Sequence, residues 1–210
     1  FLVKEEKILL IAMESDDEEQ MTTAIKNIIG NCVDNTLDIE SMPMFDIEYI
    51  FLQLRSKSKG EMVDMSFECD KCKKQIPVQI DLSTINIQRT EGHTNKIPLS
   101  DDVGVMMSYP SMQIQKTIKQ DQTDVENIFN TISSCIESIW DKETVYSTKD
   151  HTREELDKFL ESLPDNSFTK IQKFFDTIPV LKHTFELKCT NKNGKSKKAS
   201  MCGWKSEKTL

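Results

Sequence analysis

Residues 62–81 read MVDMSFECDKCKKQIPVQID. Val63, Met65 and Phe67 alternate with polar residues, and so do Ile76, Val78 and Ile80 beyond the interruption at Cys69-Asp70-Lys71-Cys72. Successive side chains of a strand point to opposite faces, so a period of two marks half-buried β-structure. The stretch is therefore strand, knuckle, strand, and it divides a helical pattern upstream from a mixed one downstream.

Upstream, residues 4–14 suit a helix with Ile8, Leu9 and Ala12 on one face. Asp16, Asp17, Glu18 and Glu19 open a second helix, where acids complement the helix dipole. Its apolar set is Met21, Ala24, Ile25, Ile28, Ile29, Cys32 and Val33, an unbroken i, i+3, i+4 stripe. After Pro43, residues 45–55 form a third helix carrying Ile47, Ile50, Phe51 and Leu54. It is apolar on several faces and is expected to be the central helix of the N-terminal part, with Ile50, Phe51 and Leu54 buried.

Downstream, Ile85 and Ile87 read as extended chain, followed by a polar loop around Gly92 and His93. Val103, Val105 and Met107 alternate again. One apolar stripe of Val125, Ile128, Phe129, Ile132, Ile136 and Ile139 predicts a single helix over residues 123–140. Thr152 and Glu155 have capping-box spacing and open another, which Pro164 ends. Residues 167–177, with Ile171, Phe174 and Phe175, form a short helix. Period two returns at Leu181, His183, Phe185 and Leu187, and a turn at Asn193-Gly194 leads to a last strand over residues 200–204.

The expected fold class is α+β. A helical N-terminal part spans 1–60. A small antiparallel β-layer, resembling a degenerate zinc ribbon, is built from 61–110 and 180–210. A helical insertion, 111–179, separates its two hairpins.

The chain has 210 residues, 37% hydrophobic and 30% charged, enough to bury a core. The longest greasy run, Ile8 to Met13, is far short of the roughly 18 residues a membrane-spanning helix needs. The first residue is Phe1 rather than Met, which suggests an upstream segment lost from the chain. A net charge of −8 argues against a general nucleic-acid coat, because neutralising phosphates takes clustered Lys and Arg. The charge is uneven: from Lys182 onward eight lysines face only Glu186 and Glu207, a basic tail beside an acidic body.

The six cysteines suit a reducing compartment better than a disulfide-stapled secreted domain. Cys32 and Cys135 fall on apolar helical faces and read as core. Cys69 and Cys72 supply two corners of a tetrahedral site, and Cys189 and Cys202 on the last hairpin are the candidates for the others, with His183 as a substitute. The second pair is broken, since Thr190, Asn191 and Lys192 follow Cys189. Two outcomes stay open: one structural zinc ion, or a metal-free relic with no cofactor. A redox Cys-x-x-Cys would sit at a helix N-terminus, whereas this one lies between strands. There is no phosphate-binding glycine loop and no nucleophile-elbow or zinc-protease motif. The three histidines lie in separate segments, and Asp46 and Glu48 read as helix-terminal acids. No enzymatic activity is expected.

Three stretches together resemble the T4-type bacteriophage baseplate protein family. They are residues 4–14 (KEEKILLIAME), the segment Leu37 to Gly60 with Pro43-Met44-Phe45-Asp46 leading into IEYIFLQLRSKSKG, and Phe168 to Phe175 followed by a Pro and a strand ending in Cys189. The resemblance is densest over residues 4–80. It implies a structural component of the central hub of a contractile-tail baseplate, acting through contacts with other hub proteins, without catalysis, small-molecule substrate or membrane. The chain would be found in the host cytoplasm during assembly and in the virion tail if retained. The family also contains factors that help the hub assemble without staying in the particle, so an assembly chaperone is the alternative. A second alternative is a zinc-ribbon nucleic-acid binder using the basic C-terminal hairpin.

Overall fold

The computed structural model describes residues 2–15, 17–33, 37–69, 72–115, 122–189 and 205–209. Three helices come first: α1 (Val3–Ser15), α2 (Glu18–Cys32) and α3 (Met44–Lys59). Asp17 caps α2 by accepting the backbone N–H groups of Glu19 and Gln20, which would otherwise lack helical partners. Ala24, Ile28 and Ile29 are buried on its inner face.

Helix α3 is central. On one side Ile47 joins Ile29, Ile39 and Met112; on the other Leu52 packs against Ile80, Leu82 and Ile85. Ile50, Phe51 and Leu54, expected to be buried, are only half-buried against the first of these clusters. A helix shared between two clusters spreads its apolar residues round its circumference and seals none of the outer ones completely.

The knuckle stretch forms an antiparallel hairpin of β1 (Met62–Glu68) and β2 (Gln75–Asp81), with Val63 opposite Ile80 and Phe67 opposite Ile76. Pro77 is tolerated in β2 because, among the described residues, that strand has no second neighbour needing its N–H. Next, β3 (Asn86–Gln88) pairs with β8 (Val180–Lys182), far along the chain. The residues between them build the largest core. Strands β4 (Lys96–Pro98), β5 (Gly104–Met107), β6 (Ile136–Trp140) and β7 (Val145–Ser147) form a four-stranded antiparallel sheet in that order. Around it lie α4 (Met112–Gln115), α5 (Asp124–Cys135), α6 (Arg153–Glu161) and α7 (Asp165–Asp176). Val105, Met107, Ile132, Cys135, Leu160, Ile171 and Phe174 meet at its centre. Both α5 and α6 begin with a capping box, at Thr123/Glu126 and Thr152/Glu155. Finally β9 (Thr184–Lys188) pairs with β10 (Lys205–Thr209).

The α+β class holds, with two corrections of detail and one expectation that falls outside the described residues. First, the helix expected over 123–140 stops at Cys135, and residues 136–140 are a strand. Thr131, Ser133 and Ser134 each turn their hydroxyl back to the carbonyl four residues earlier, a habit that weakens and bends a helix. Ile136 and Ile139 then bury more by pairing with Met107 and Val105 than by prolonging a turn. Val125 and Ile128, counted in the same stripe, are exposed. The segment 111–179 thus supplies strands as well as helices. Second, the loop around His93 is followed by β4. The His93 ring stacks on Tyr109 and Phe174, with centroids 5.6 and 5.1 Å away. Third, the expected turn at Asn193-Gly194 and strand over 200–204 lie outside the described residues; the strand that pairs with β9 is 205–209.

Two glycines test the packing. A Cβ on Gly104 would sit 2.1 Å from Trp140 Cζ2 and 2.6 Å from the Ile97 carbonyl oxygen, whereas one on Gly30 meets only Ile39 Cδ1 at 3.8 Å. Gly104→Ala is expected to destabilise by about 1–3 kcal/mol through overpacking, and Gly30→Ala, inside α2, to stabilise by up to about 1 kcal/mol. Urea unfolding of both variants checks the pair of signs.

His93 gives a pH signature. Its Nδ1 lies 2.9 Å from Thr177 Oγ1 and its Nε2 3.1 Å from the Tyr109 hydroxyl. Burial holds its pKa below the ordinary 6.5, so the unfolded chain takes up this proton first. The His93 contribution to stability is therefore intact above pH 6.5 and declines as pH falls from there, levelling off below the folded-state pKa. Thermal unfolding between pH 8 and 5 should show a loss that His93→Gln reduces.

Candidate metal centre

Hairpin β1–β2 and strand β9 bring three cysteines together. Cys69 follows the last residue of β1, Cys72 lies in the knuckle, and Cys189 follows the last residue of β9. Cys69 and Cys189 are buried and Cys72 half-buried. Their sulfur atoms all lie within 4.8 Å of one another, with Cys72 Sγ and Cys189 Sγ 3.6 Å apart. That is far beyond a disulfide length of about 2.05 Å. It is close to the roughly 3.8 Å between corners of a tetrahedral shell with metal–sulfur bonds of about 2.3 Å.

Local backbone makes the knuckle. The Cys69 N–H donates to the Lys74 carbonyl at 2.9 Å, and the Lys73 N–H donates to the Cys69 carbonyl at 2.8 Å. Closing so tight a loop puts Lys73 at φ 60°, the left-handed region where a side chain is disfavoured. Glycine normally marks such a position, so its Lys gave no sequence signal. The Lys73 ammonium meets the Glu68 carboxylate at 3.0 Å.

An apolar collar fixes the sulfurs from below. Phe67, Ile76, Val78, Phe185 and Leu187 pack around them, with the Phe67 and Phe185 rings 5.3 Å apart. Period-two patterning had marked every one of these side chains. The hairpin and β9 meet as one unit although Cys72 and Cys189 are 117 residues apart.

Of the residues considered from sequence, Cys69, Cys72 and Cys189 converge, and together they could hold a metal ion. Cys202 lies outside the described residues. His183 is not brought in: it precedes β9 at the end opposite Cys189, with its ring stacked on Phe185 at 5.8 Å. Cys135 sits in the large core, where burial pushes its thiol up to about 12. Asp46 and Glu48 are both shifted upward by burial, Asp46 in part offset by Arg89. Cys69 and Cys189 follow strands and Cys72 lies in the knuckle, so among the described residues none of the three is part of a helix N-terminus that would activate a thiol as a nucleophile. Their common chemistry is soft-metal ligation, which requires deprotonated sulfur and ties binding to folding.

Comparison with known families gives one match. The family described as T4 bacteriophage base plate protein matches residues 1–203, and the chain belongs to that family. No curated protein and no solved structure matches it. Among the described residues, no helix is long and apolar enough to cross a membrane.

Proposed function

We propose that this member of the T4 bacteriophage base plate protein family is a structural component of the central hub of a contractile tail. In this reading it works through contacts with other hub proteins while hub and tail assemble in the host cytoplasm, and it remains in the tail baseplate. The observation that carries the proposal is a family match covering residues 1–203 of 210, most of the chain and not one embedded motif. The proposal includes no catalysis. In support, His93 is engaged with Tyr109 and Thr177, His151 stands at the start of α6 beside Glu155, and His183 stacks on Phe185; no two share a site.

Quantitative mass spectrometry of purified particles tests the hub assignment. The chain should be present in a fixed ratio to other hub proteins and resist salt washing. Its presence in hub intermediates but absence from finished particles would move it to the assembly-factor class. Binding to nucleic acid with a steep salt dependence would favour the ribbon-type nucleic-acid binder instead.

We also assign the three-cysteine cluster a structural zinc ion that staples the β1–β2 hairpin to β9. Cys69, Cys72 and Cys189 supply three ligands, and the sequence's candidate for the fourth, Cys202, lies outside the described residues. Purified protein should carry about one equivalent of zinc. Chelation should lower the unfolding temperature, and Cys69→Ser should both release the ion and abolish the response to chelator. Stability unchanged by chelation, with well under one equivalent bound, would leave the cluster a metal-free relic.

A further inference from the structure

Helix α1 is apolar on two sides. Ala12 is buried on its inner face, toward α2. Yet Leu2, Val3, Leu10, Ile11 and Met13 are all exposed, five of the twelve most exposed large apolar side chains among the described residues. At helical spacing, Val3, Lys7, Leu10 and Glu14 fall on one outward stripe (i, i+4, i+7, i+11), with Ile11 beside it.

The charges on this helix divide the same way. Glu6 pairs with Lys59 on α3, and Lys4 with Glu5. Lys7 and Glu14, on the outward stripe, make no ion pair among the described residues. They are two turns apart, roughly 10 Å along the axis, with Leu10 and Ile11 between them. Such a stripe complements itself when turned end for end: Lys7 of each copy lies opposite Glu14 of the other, and Leu10 and Ile11 meet across the axis. A parallel arrangement would set Lys7 against Lys7 and Glu14 against Glu14.

We propose that α1 is a homodimerisation helix whose partner is α1 of a second copy of this chain, paired antiparallel about a two-fold axis. A two-fold contact uses the same patch twice and needs this kind of self-complementarity. Val3, Leu10 and Ile11 make a patch of at most a few hundred Å², below the roughly 800 Å² per partner of a standard stable interface. The dimer is therefore weak and reversible, responsive to local concentration.

Sedimentation equilibrium of the full chain, from micromolar to millimolar concentration at low salt, tests this with four variants checked for fold by circular dichroism. The three positions changed, Lys7, Leu10 and Glu14, are all exposed. Wild type should dimerise reversibly. Lys7→Glu and Glu14→Lys should each weaken the dimer several-fold, because each places like charges opposite twice, and raised salt should shrink the difference. The double exchange, Lys7→Glu with Glu14→Lys, should restore the affinity to within about twofold, since two local charge pairs of this kind are interchangeable. Leu10→Asp should leave only monomer. A wild type that stays monomeric throughout, as it would if a helix of a different baseplate protein occupied the stripe, overturns the proposal. So does a dimer indifferent to the single charge changes, or a double exchange that fails to recover.

Discussion

Closure of the chain at the end of β9 is the constraint on which the rest of the architecture leans. A two-stranded hairpin is marginal alone in water, and among the described residues β1–β2 has no further strand beside it. What holds it is the apolar collar from β9, with Phe185 and Leu187 packed against Phe67, Ile76 and Val78, and the contact of the hairpin cluster with Leu52 of α3. The pairing of β3 with β8 holds the same closure a few residues earlier. All the chain between those two strands is an excursion with both ends fixed in place. Its length matters little, because loop-closure entropy grows only logarithmically. That is how a four-stranded sheet and four helices fit within it without loosening the site.

Much of this was legible in the sequence, and the reason differs by element. The knuckle hairpin was clear because its inward residues are all large and apolar and its outward ones, Met62 and Pro77 apart, are polar, so one register alone turns Val63, Phe67, Ile76 and Ile80 to the same face. Helix α2 was clear for the same reason at a period of 3.6. The end of α5 was not: Ile136 and Ile139 satisfy both a helical and an extended spacing, and only the open edge of β5, distant in sequence, decides between them. Short strands such as β4 leave too few residues for any period to show.

The site divides along the same line. The sequence offered Cys69, Cys72 and Cys189 as ligands, and the fold brings them together. It also offered His183, which strand geometry carries away, because residues six apart in an extended chain are about 20 Å apart. Lys73 was invisible. Its left-handed backbone is imposed by the closing hydrogen bonds of the knuckle and not by its own preference. Membership of the base plate family sits beside a fold whose distinctive features are a three-cysteine cluster between hairpin and β9 and a first helix with exposed apolar residues.

The junction of α5 and β6 has a consequence for how this protein can change over time. Cys135 is the last helical residue and Ile136 the first of the strand, with nothing between them. The bulge opposite Met106 and Met107 already absorbs one surplus residue of β6. No slack remains for another. A codon gained or lost here would turn each side chain of β6 to the opposite face of the sheet and carry Ile136 out of the core. Length variation among descendants of this gene is thus confined to the connections outside the junction, while substitution at the junction stays open only to side chains that fill the buried places of Cys135 and Ile136.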